Sequence, residues 1–317
     1  MTLVLTTSPA FGLHGRVPAR LAELGWEVAR SDDPAGASPR LAEADFLVAG
    51  LAPVTADWLA RAPRLRGVLK HGTGTDNIDI PACSARGVPV LNAPGANAAA
   101  VAELSLGLLF ALAREIPLTH AETAGGAWNR RVGAELAGAT LGIVGLGRIG
   151  KRLASAARAL GMEVVATDPV SDADFLAAHP VGMLPLAALL ARADYVALHL
   201  SGTTRVLGAA EIAAMKPGAR LLNLARGEVI DLDALTAALA RGHLAGAAID
   251  VYTHEPPDRS HPIFADPKVI FTPHAGGNTL QAVERIGLMN IADIETLLAG
   301  GRPARVLNPQ VFGKAPS

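Results

Sequence analysis

Three glycines at a fixed spacing, Gly145, Gly147 and Gly150 in "GIVGLGRIG", are the residues whose pattern most directly implies chemistry. The chemistry is anion binding. The first glycine permits a tight turn, the second lets backbone approach a pyrophosphate, and the third lets a helix close on its strand. The free N–H groups and dipole of that helix then favour the phosphate charge. Asp168 belongs to the same constellation. It follows "EVVAT" and stands roughly 20 residues beyond the turn, where an acid meets a ribose 2′-hydroxyl and repels a 2′-phosphate. The expected ligand is therefore NAD rather than NADP. A second turn, "KHGTGTDNID" (Lys70 to Asp79), also follows an apolar run. Its successive N–H groups would suit a carboxylate, although an ordinary strand-to-helix turn reads the same way.

These residues need elements to hold them. "LGIV" before the glycine turn is an apolar strand, and Ile149, Leu153, Ala156, Ala157 and Leu160 after it share one helical face. "DYVALH", "RLLNLA", "GAAID" and "VIFTPH" are short apolar runs suited to strands buried on both faces. Between them lie helical patterns such as "DLDALTAALARG", with Asp231 as N-cap and Gly242 as stop. The result is a doubly wound parallel sheet. Residues 1 to 96 carry an alternation of their own in "TLVLT", "EVAR", "ADFLVAG", "LRGVLKHG" and "VPVLNAP". A long helix, Asn97 to Ile116, leads into the glycine-turn domain, and "TLQAVERIGLMNIADIETLLAGG" leads out of it. The tail "RPARVLNPQ" is expected to return as an edge strand to the first domain. Two such crossing helices would make a hinge and a cleft, a common place for ligands.

Composition narrows the class. A chain of 317 residues, half of them hydrophobic, suits about two domains. With 28 basic and 29 acidic residues the net charge is -1, which excludes a basic nucleic-acid footprint and gives no reason to expect a membrane surface. The single cysteine, Cys83, supports no disulfide framework and no cysteine metal site, and is read as packing. No metal is expected. The first residues lack the pattern of a signal peptide. The longest apolar stretch, "LSLGLLFALA", is about half a membrane span. A soluble cytoplasmic protein is expected.

Six ordered blocks, "HGTGTDNID", "NxxxVAE" (Asn97 to Glu103), "GIVGLGRIG", "NLARGEVID", "AAIDVYTHEPP" and "TPHAGGNT", run through most of the chain. Together they resemble the D-isomer-specific 2-hydroxyacid dehydrogenases, most of all the catalytic part of the phosphoglycerate dehydrogenases among them. The resemblance implies an α/β fold of two doubly wound domains, a Rossmann NAD domain inserted into a flavodoxin-like substrate domain. The substrate domain would comprise residues 1–96 and 284–317, and the NAD domain 97–283. It implies that Arg226 holds the substrate carboxylate and carbonyl, and that Glu255 and His274 form the acid/base pair. Arg148 and Ile149 match backbone contacts to the pyrophosphate, and Asp250 a contact to the nicotinamide carboxamide. Thr73, Leu224, Ala225, Arg226, His274, Gly276 and Gly277 match further cofactor contacts. Lys70, His71, Gly72, Thr73 and Gly74 match substrate contacts. "LSLGLLFALA" with "LTHAETAGGAWNR" resembles the family's dimer arm and implies a homodimer. Trp128 and Arg130 lie in that arm.

The residue types suit the implied reaction. Hydride leaves C2 of a small anionic 2-hydroxy acid while a proton leaves its hydroxyl, so a base that titrates near neutrality is wanted, and histidine suits. A carboxylate beside it favours the imidazolium and fixes its tautomer, and planar arginine binds an oxyanion bidentately. Of nine histidines, His274 alone ends an apolar strand, precedes the glycine pair and has the Glu–Pro–Pro element upstream. His71 is the second choice, while His199 and His254 read as structural. Two departures from the family stand out. "HLSGTTR" (His199 to Arg205) is short and lacks a proline, and Ala49 or Gly50 stands near the place of an arginine that holds a distal phosphate. The candidate substrates are 3-phosphoglycerate, hydroxypyruvate and glyoxylate. The alternative is an NAD-sensing, co-repressor-like binding protein of the same fold. Formate dehydrogenases carry Gln where Glu255 stands, so Glu255 favours the hydroxy acid.

Overall fold

The computed structural model describes residues 1–31 and 39–313. In chain order the elements are β1 (Leu3–Thr6), α1 (Val17–Leu24), β2 (Glu27–Arg30), β3 (Phe46–Ala49), α2 (Ala56–Ala60), β4 (Gly67–Lys70), α3 (Ile80–Ala85) and β5 (Val90–Leu91). There follow α4 (Ala98–Ala113), α5 (Ile116–Ala124), β6 (Thr140–Val144), α6 (Arg148–Ala159), β7 (Glu163–Thr167), α7 (Ala173–Ala178), β8 (Gly182–Met183) and α8 (Leu186–Arg192). The remainder are β9 (Tyr195–Leu198), α9 (Ala209–Ala214), β10 (Arg220–Asn223), α10 (Leu232–Ala240), β11 (Gly246–Ile249), β12 (Val269–Phe271) and α11 (Leu280–Leu298).

The chain forms two compact units, one of residues Met1–Asn97 with Gly277–Ser317, the other of Ala98–Gly276. The outer unit thus contains both chain ends, and residues 277–283, read from sequence as part of the NAD domain, belong to it. Its sheet runs β2-β1-β3-β4-β5 with every pairing parallel, the flavodoxin-like order. One face packs Leu47, Trp58, Val68 and Cys83, the other Val4, Phe46, Leu69 and, from α11, Ile291 and Ile294. Helix α11 approaches α1 closely at Gly287, where a Cβ would lie 2.7 Å from Val17.

The inner unit's sheet runs β12-β11-β10-β9-β6-β7-β8, again parallel. Read from β8, its strands come third, second, first, then fourth onward, the Rossmann order with its switch point between β6 and β9. Strands β6, β9 and β11 are buried at every residue, as continuous apolar runs require in a sheet covered on both faces. Asp231 caps α10 by accepting from Ala234 N at 3.0 Å, and Gly242 adopts φ +71° beyond its end.

Three further expectations needed revision. The helix expected from Asn97 to Ile116 stops at Ala113, because Glu115 turns left-handed at φ +50° and Pro117 opens α5. On α6 the buried residues are Gly150, Leu153, Ala154 and Ala157, while Leu160 is exposed. The tail makes a single antiparallel bridge, Val306 to Leu91, rather than a strand. Pro309 offers no N–H to extend a ladder. The Asn308 amide substitutes for one, accepting from Val90 N at 2.7 Å and donating to Val88 O at 2.9 Å.

Candidate active site

The glycine turn of the inner unit is shaped by close approach. Gly145 has φ +99°, and a Cβ there would lie 2.6 Å from Leu200 N. A Cβ on Gly150 would lie 2.2 Å from Gly145 O, so only glycine lets α6 start against β6. Gly147, the N-cap of α6, differs. A Cβ there meets no described atom within 4 Å. Open space at a helix N-terminus is what an approaching phosphate needs. Arg148, an exposed residue, and Ile149, a half-buried one, supply the next two backbone N–H groups. Asp168 joins this turn to the end of β7, its Oδ2 accepting from Leu146 N at 2.7 Å and its Oδ1 from Val170 N at 2.8 Å. A pocket of about 450 Å³ opens beside it, lined by Leu146, Gly147, Lys151, Asp168 and Asp172 among others. A dinucleotide fits this donor set and cradle: Gly145–Gly150 would hold its pyrophosphate and Asp168 its ribose.

Toward the other edge of the same sheet, Asp250 directly follows β11 and is 2% exposed. Its Oδ1 accepts from Thr272 Oγ1 at 2.6 Å and Ala275 N at 2.7 Å, and its Oδ2 from Gly276 N at 2.9 Å. Its carbonyl accepts from His274 N at 2.8 Å. Asp250 therefore ties down the loop that carries the histidine. That loop begins earlier than the run "VIFTPH" suggests, since β12 ends at Phe271 before Pro273. His274 sits at φ +52°, a rare conformation for a side chain of its size. Strain of this kind costs on the order of 1–3 kcal/mol and persists where surroundings over-determine it.

His274 Nδ1 lies 2.8 and 2.9 Å from the two Glu255 oxygens. Glu255 is acceptor-only when ionised, so Nδ1 carries the proton and Nε2 is the nitrogen left to exchange one. The two side chains are 33% and 21% exposed. Burial opposes the Glu255 charge, but the His274 hydrogen bond and charge, the Tyr252 N–H and the Arg226 guanidinium outweigh it and hold the carboxyl below its usual range. Tyr252 N donates to Glu255 Oε1 at 3.1 Å.

Arg226 stands after β10, within the electrostatic reach of Glu255 that this shift records. Its Nη1 donates to Ala225 O at 2.7 Å. Asn223 organises the segment, donating to Arg226 O at 2.8 Å and accepting from Ala225 N at 3.1 Å. Leu224 and Ala225 are buried. At Gly227 a Cβ would lie 2.2 Å from Thr253 N, so glycine lets the chains after β10 and β11 meet. Sequence reasoning gave Asn223 no role. A polar residue closing the apolar run "RLLNLA" was the available signal.

In the outer unit, Lys70 and His71 are turned inward rather than presented as substrate contacts. Lys70 is 6% exposed, and its Nζ donates to Gly50 O at 2.6 Å and Asn77 Oδ1 at 2.7 Å. His71 Nδ1 lies 3.2 Å from Asn290 Oδ1, while Asn290 Nδ2 donates to Lys70 O at 3.2 Å. That second bond sets the amide so that Nδ1 must donate, and Nε2 is buried without a partner. Burial lowers the His71 pKa to about 4, with the Asn290 bond opposing and the Lys70 charge assisting. His71 is therefore neutral near pH 7 and unsuited to donate a proton. Gly72 and Gly74 are half-buried and Thr73 is exposed between them, its Oγ1 donating toward Asn97 Oδ1 at 3.1 Å. Gly277 lies against Asn97, and Gly276 against Asp250. His199 is buried with Nε2 3.3 Å from Ser105 Oγ, and burial lowers its pKa to about 4. Burial pushes the Cys83 thiol up to about 11, where it is inert. Among the described residues no cluster of three or more His, Cys, Asp or Glu could hold a metal, and no helix is long and apolar enough to cross a membrane.

Residues 106–276 match the family model of the D-isomer specific 2-hydroxyacid dehydrogenase, NAD binding domain. The chain belongs to the D-isomer specific 2-hydroxyacid dehydrogenases, and NAD is the cofactor of its matched domain. D-3-phosphoglycerate dehydrogenase of Rattus norvegicus is 39% identical over 275 residues, covering 85% of this chain and 51% of that protein. The chain thus spans about half the length of such relatives. The TT0316 protein of Thermus thermophilus is 34% identical with a TM-score of 0.86, over 97% of this chain and all of that one. D-lactate dehydrogenase of Aquifex aeolicus, solved with NAD and lactic acid, is 25% identical with a TM-score of 0.86, over 99% of this chain and all of that one.

Proposed function

We propose that this chain is an NAD-dependent D-2-hydroxyacid dehydrogenase with His274 as proton carrier, Glu255 as its positioning partner and Arg226 as substrate anchor. The observation that carries the reading is the His274–Glu255 contact. It commits Nδ1 to the carboxylate and leaves Nε2 for the substrate oxygen. In oxidation His274 Nε2 takes the proton of the C2 hydroxyl, and in reduction it returns one to the carbonyl oxygen. Glu255 stays ionised and steadies the imidazolium. Arg226 holds the carboxylate and polarises the carbonyl oxygen, a role its planar fork suits. Bound NAD would supply the hydride acceptor. Asp250 orders the histidine loop and retains acceptor capacity for the nicotinamide amide. Positioned acid/base groups of this kind contribute roughly 10²–10⁴-fold.

The substrate is a short anionic acid drawn from 3-phosphoglycerate, hydroxypyruvate and glyoxylate. The similarity to phosphoglycerate dehydrogenases supports the first. The inward Lys70 ammonium supports the smaller two. In the outer unit the Gly72–Gly74 turn is the proposed carboxylate nest. The chain is further proposed to work in the cytoplasm as a homodimer. Phe110, Ile116, Trp128, Val132 and Leu160 are exposed at 43, 50, 84, 95 and 37%, more apolar surface than a monomer needs. Sedimentation of a monomer at micromolar concentration would count against the dimer. The activity is tested by offering a panel of 2-keto acids with NADH and following nicotinamide absorbance. Turnover by wild type and its loss in His274→Gln are expected. Turnover unchanged in His274→Gln would refute the assignment.

A further inference from the structure

The pocket beside the glycine turn is lined by three carboxylates, Asp168, Asp172 and the exposed Asp174, and the first two do different things. Asp168, on the dinucleotide reading, would meet the ribose and repel a 2′-phosphate. Asp172 opens α7, where its Oδ1 accepts from Phe175 N at 3.0 Å. Its Oδ2 is ion-paired with Lys151 Nζ. Lys151 stands one turn into α6 from Gly147, lines the same pocket, and lies 5.5 Å from the Phe175 ring centroid. Among the residues lining the pocket it is the one cation. Its stem is long and flexible, and its side chain is 28% exposed. Released from Asp172, such an ammonium could turn to any anion in the pocket. The Lys151 bond, the Phe175 N–H and the Lys151 charge together hold the Asp172 carboxyl below its usual range, so that carboxylate is ionised at neutral pH.

We propose that Asp172 is a second determinant of cofactor choice: it sequesters Lys151 and so denies the pocket the cation that a 2′-phosphate would require. The proposal rests on the dinucleotide reading of the glycine turn. Removal of Asp168 alone ends a repulsion but supplies no attraction. Removal of Asp172 as well supplies one. For a partly exposed ammonium–phosphate pair the expected gain is about three- to tenfold in affinity.

The test is binding, measured without substrate by nicotinamide fluorescence. The ratio of NADPH to NADH affinity is compared in wild type, Asp168→Ser, Asp172→Asn, the double variant, and the double variant with Lys151→Met. Asparagine keeps an oxygen for the α7 cap and drops the charge. Asp172→Ser is a second cap-competent replacement should the first misfold. The double variant should raise the ratio about three- to tenfold above Asp168→Ser, and Lys151→Met should abolish that extra gain. No extra gain, or one that survives Lys151→Met, overturns the proposal. Wild type that fails to bind NADH overturns the dinucleotide reading itself.

Discussion

Gly147 and Gly150 belong to one motif, yet their alanine variants should fail in opposite ways. At Gly150 the new methyl would lie 2.2 Å from Gly145 O and 3.2 Å from Ile143 Cγ2. The clash is with backbone, so α6 must move off β6. Overpacking typically costs about 1–3 kcal/mol, and a rigid carbonyl at that distance puts this case at or above the upper end. At Gly147, φ is -72° and the methyl meets no described atom. Replacing an N-cap glycine by alanine costs roughly 1 kcal/mol, while stiffening the unfolded chain returns about 0.4–1 kcal/mol. Stability should barely change. The methyl would, however, occupy the space through which a phosphate reaches the helix N–H groups. Loss of one charge-assisted bond, about 1.5–3 kcal/mol, weakens NADH binding roughly tenfold to a hundredfold. Urea denaturation and NADH fluorescence titration on both variants separate the two effects. Gly147→Ala binding NADH as wild type does, or Gly150→Ala as stable as wild type, would refute the reasoning.

Other outcomes follow from the histidine loop. His274→Gln should lower kcat about 10²–10⁴-fold, with NADH affinity close to wild type in a fluorescence titration, since no residue of the glycine turn is altered. Asp250→Asn puts an N–H₂ group against either Gly276 N–H or the pair Thr272 and Ala275. One lost charge-assisted bond and one unpaired buried N–H should together cost about 2–4 kcal/mol, seen as a lower urea midpoint; Thr272→Val, which removes a single hydroxyl donor, should cost only about 1 kcal/mol. Glu255 titrates below its usual 4.5 in the folded protein. A depressed carboxylate stabilises above the unfolded value and loses that contribution as pH falls through the folded one. The acid limb of the stability profile below pH 4.5 should therefore be shallower in Glu255→Gln, and an identical limb would show that the carboxylate is not stabilised there.

What could be read from the letters was whatever repeats locally. The run "TLGIV", three glycines and an apolar helix face define β6, its turn and α6 without any distant partner. So do Asp231 and Gly242 at the two ends of α10. The readings that changed depend on contacts far apart in sequence. Lys70 looks like an outward cation until Gly50 and Asn77 are seen to accept from its ammonium. His71 looks available until Asn290, contributed by α11, fixes its tautomer. Glu115 at φ +50° gives no hint in "ALAREIPL", where only Pro117 marks the break. His274 and Glu255 were placed by resemblance, and their contact was not derivable from spacing, because the irregular segment from Asp250 to the start of β12 has no period to count.

The composition of the outer unit also imposes an order on synthesis. One face of its sheet presents Val4, Phe46 and Leu69 to Ile291 and Ile294 of α11. A ribosome delivers the strands within the first hundred residues, but the helix that covers them comes only after residue 277. At about 5–20 residues per second the intervening stretch takes roughly 10–40 s to emerge. For that interval the nascent sheet has an apolar face that Val17 and Leu21 of α1 cover only in part. The inner unit, continuous from Ala98 to Gly276, can close as soon as its last strand clears the exit tunnel. Of the two units, the outer one thus starts earlier and is completed later, and it is the nascent outer sheet that a chaperone or a neighbouring nascent chain would meet.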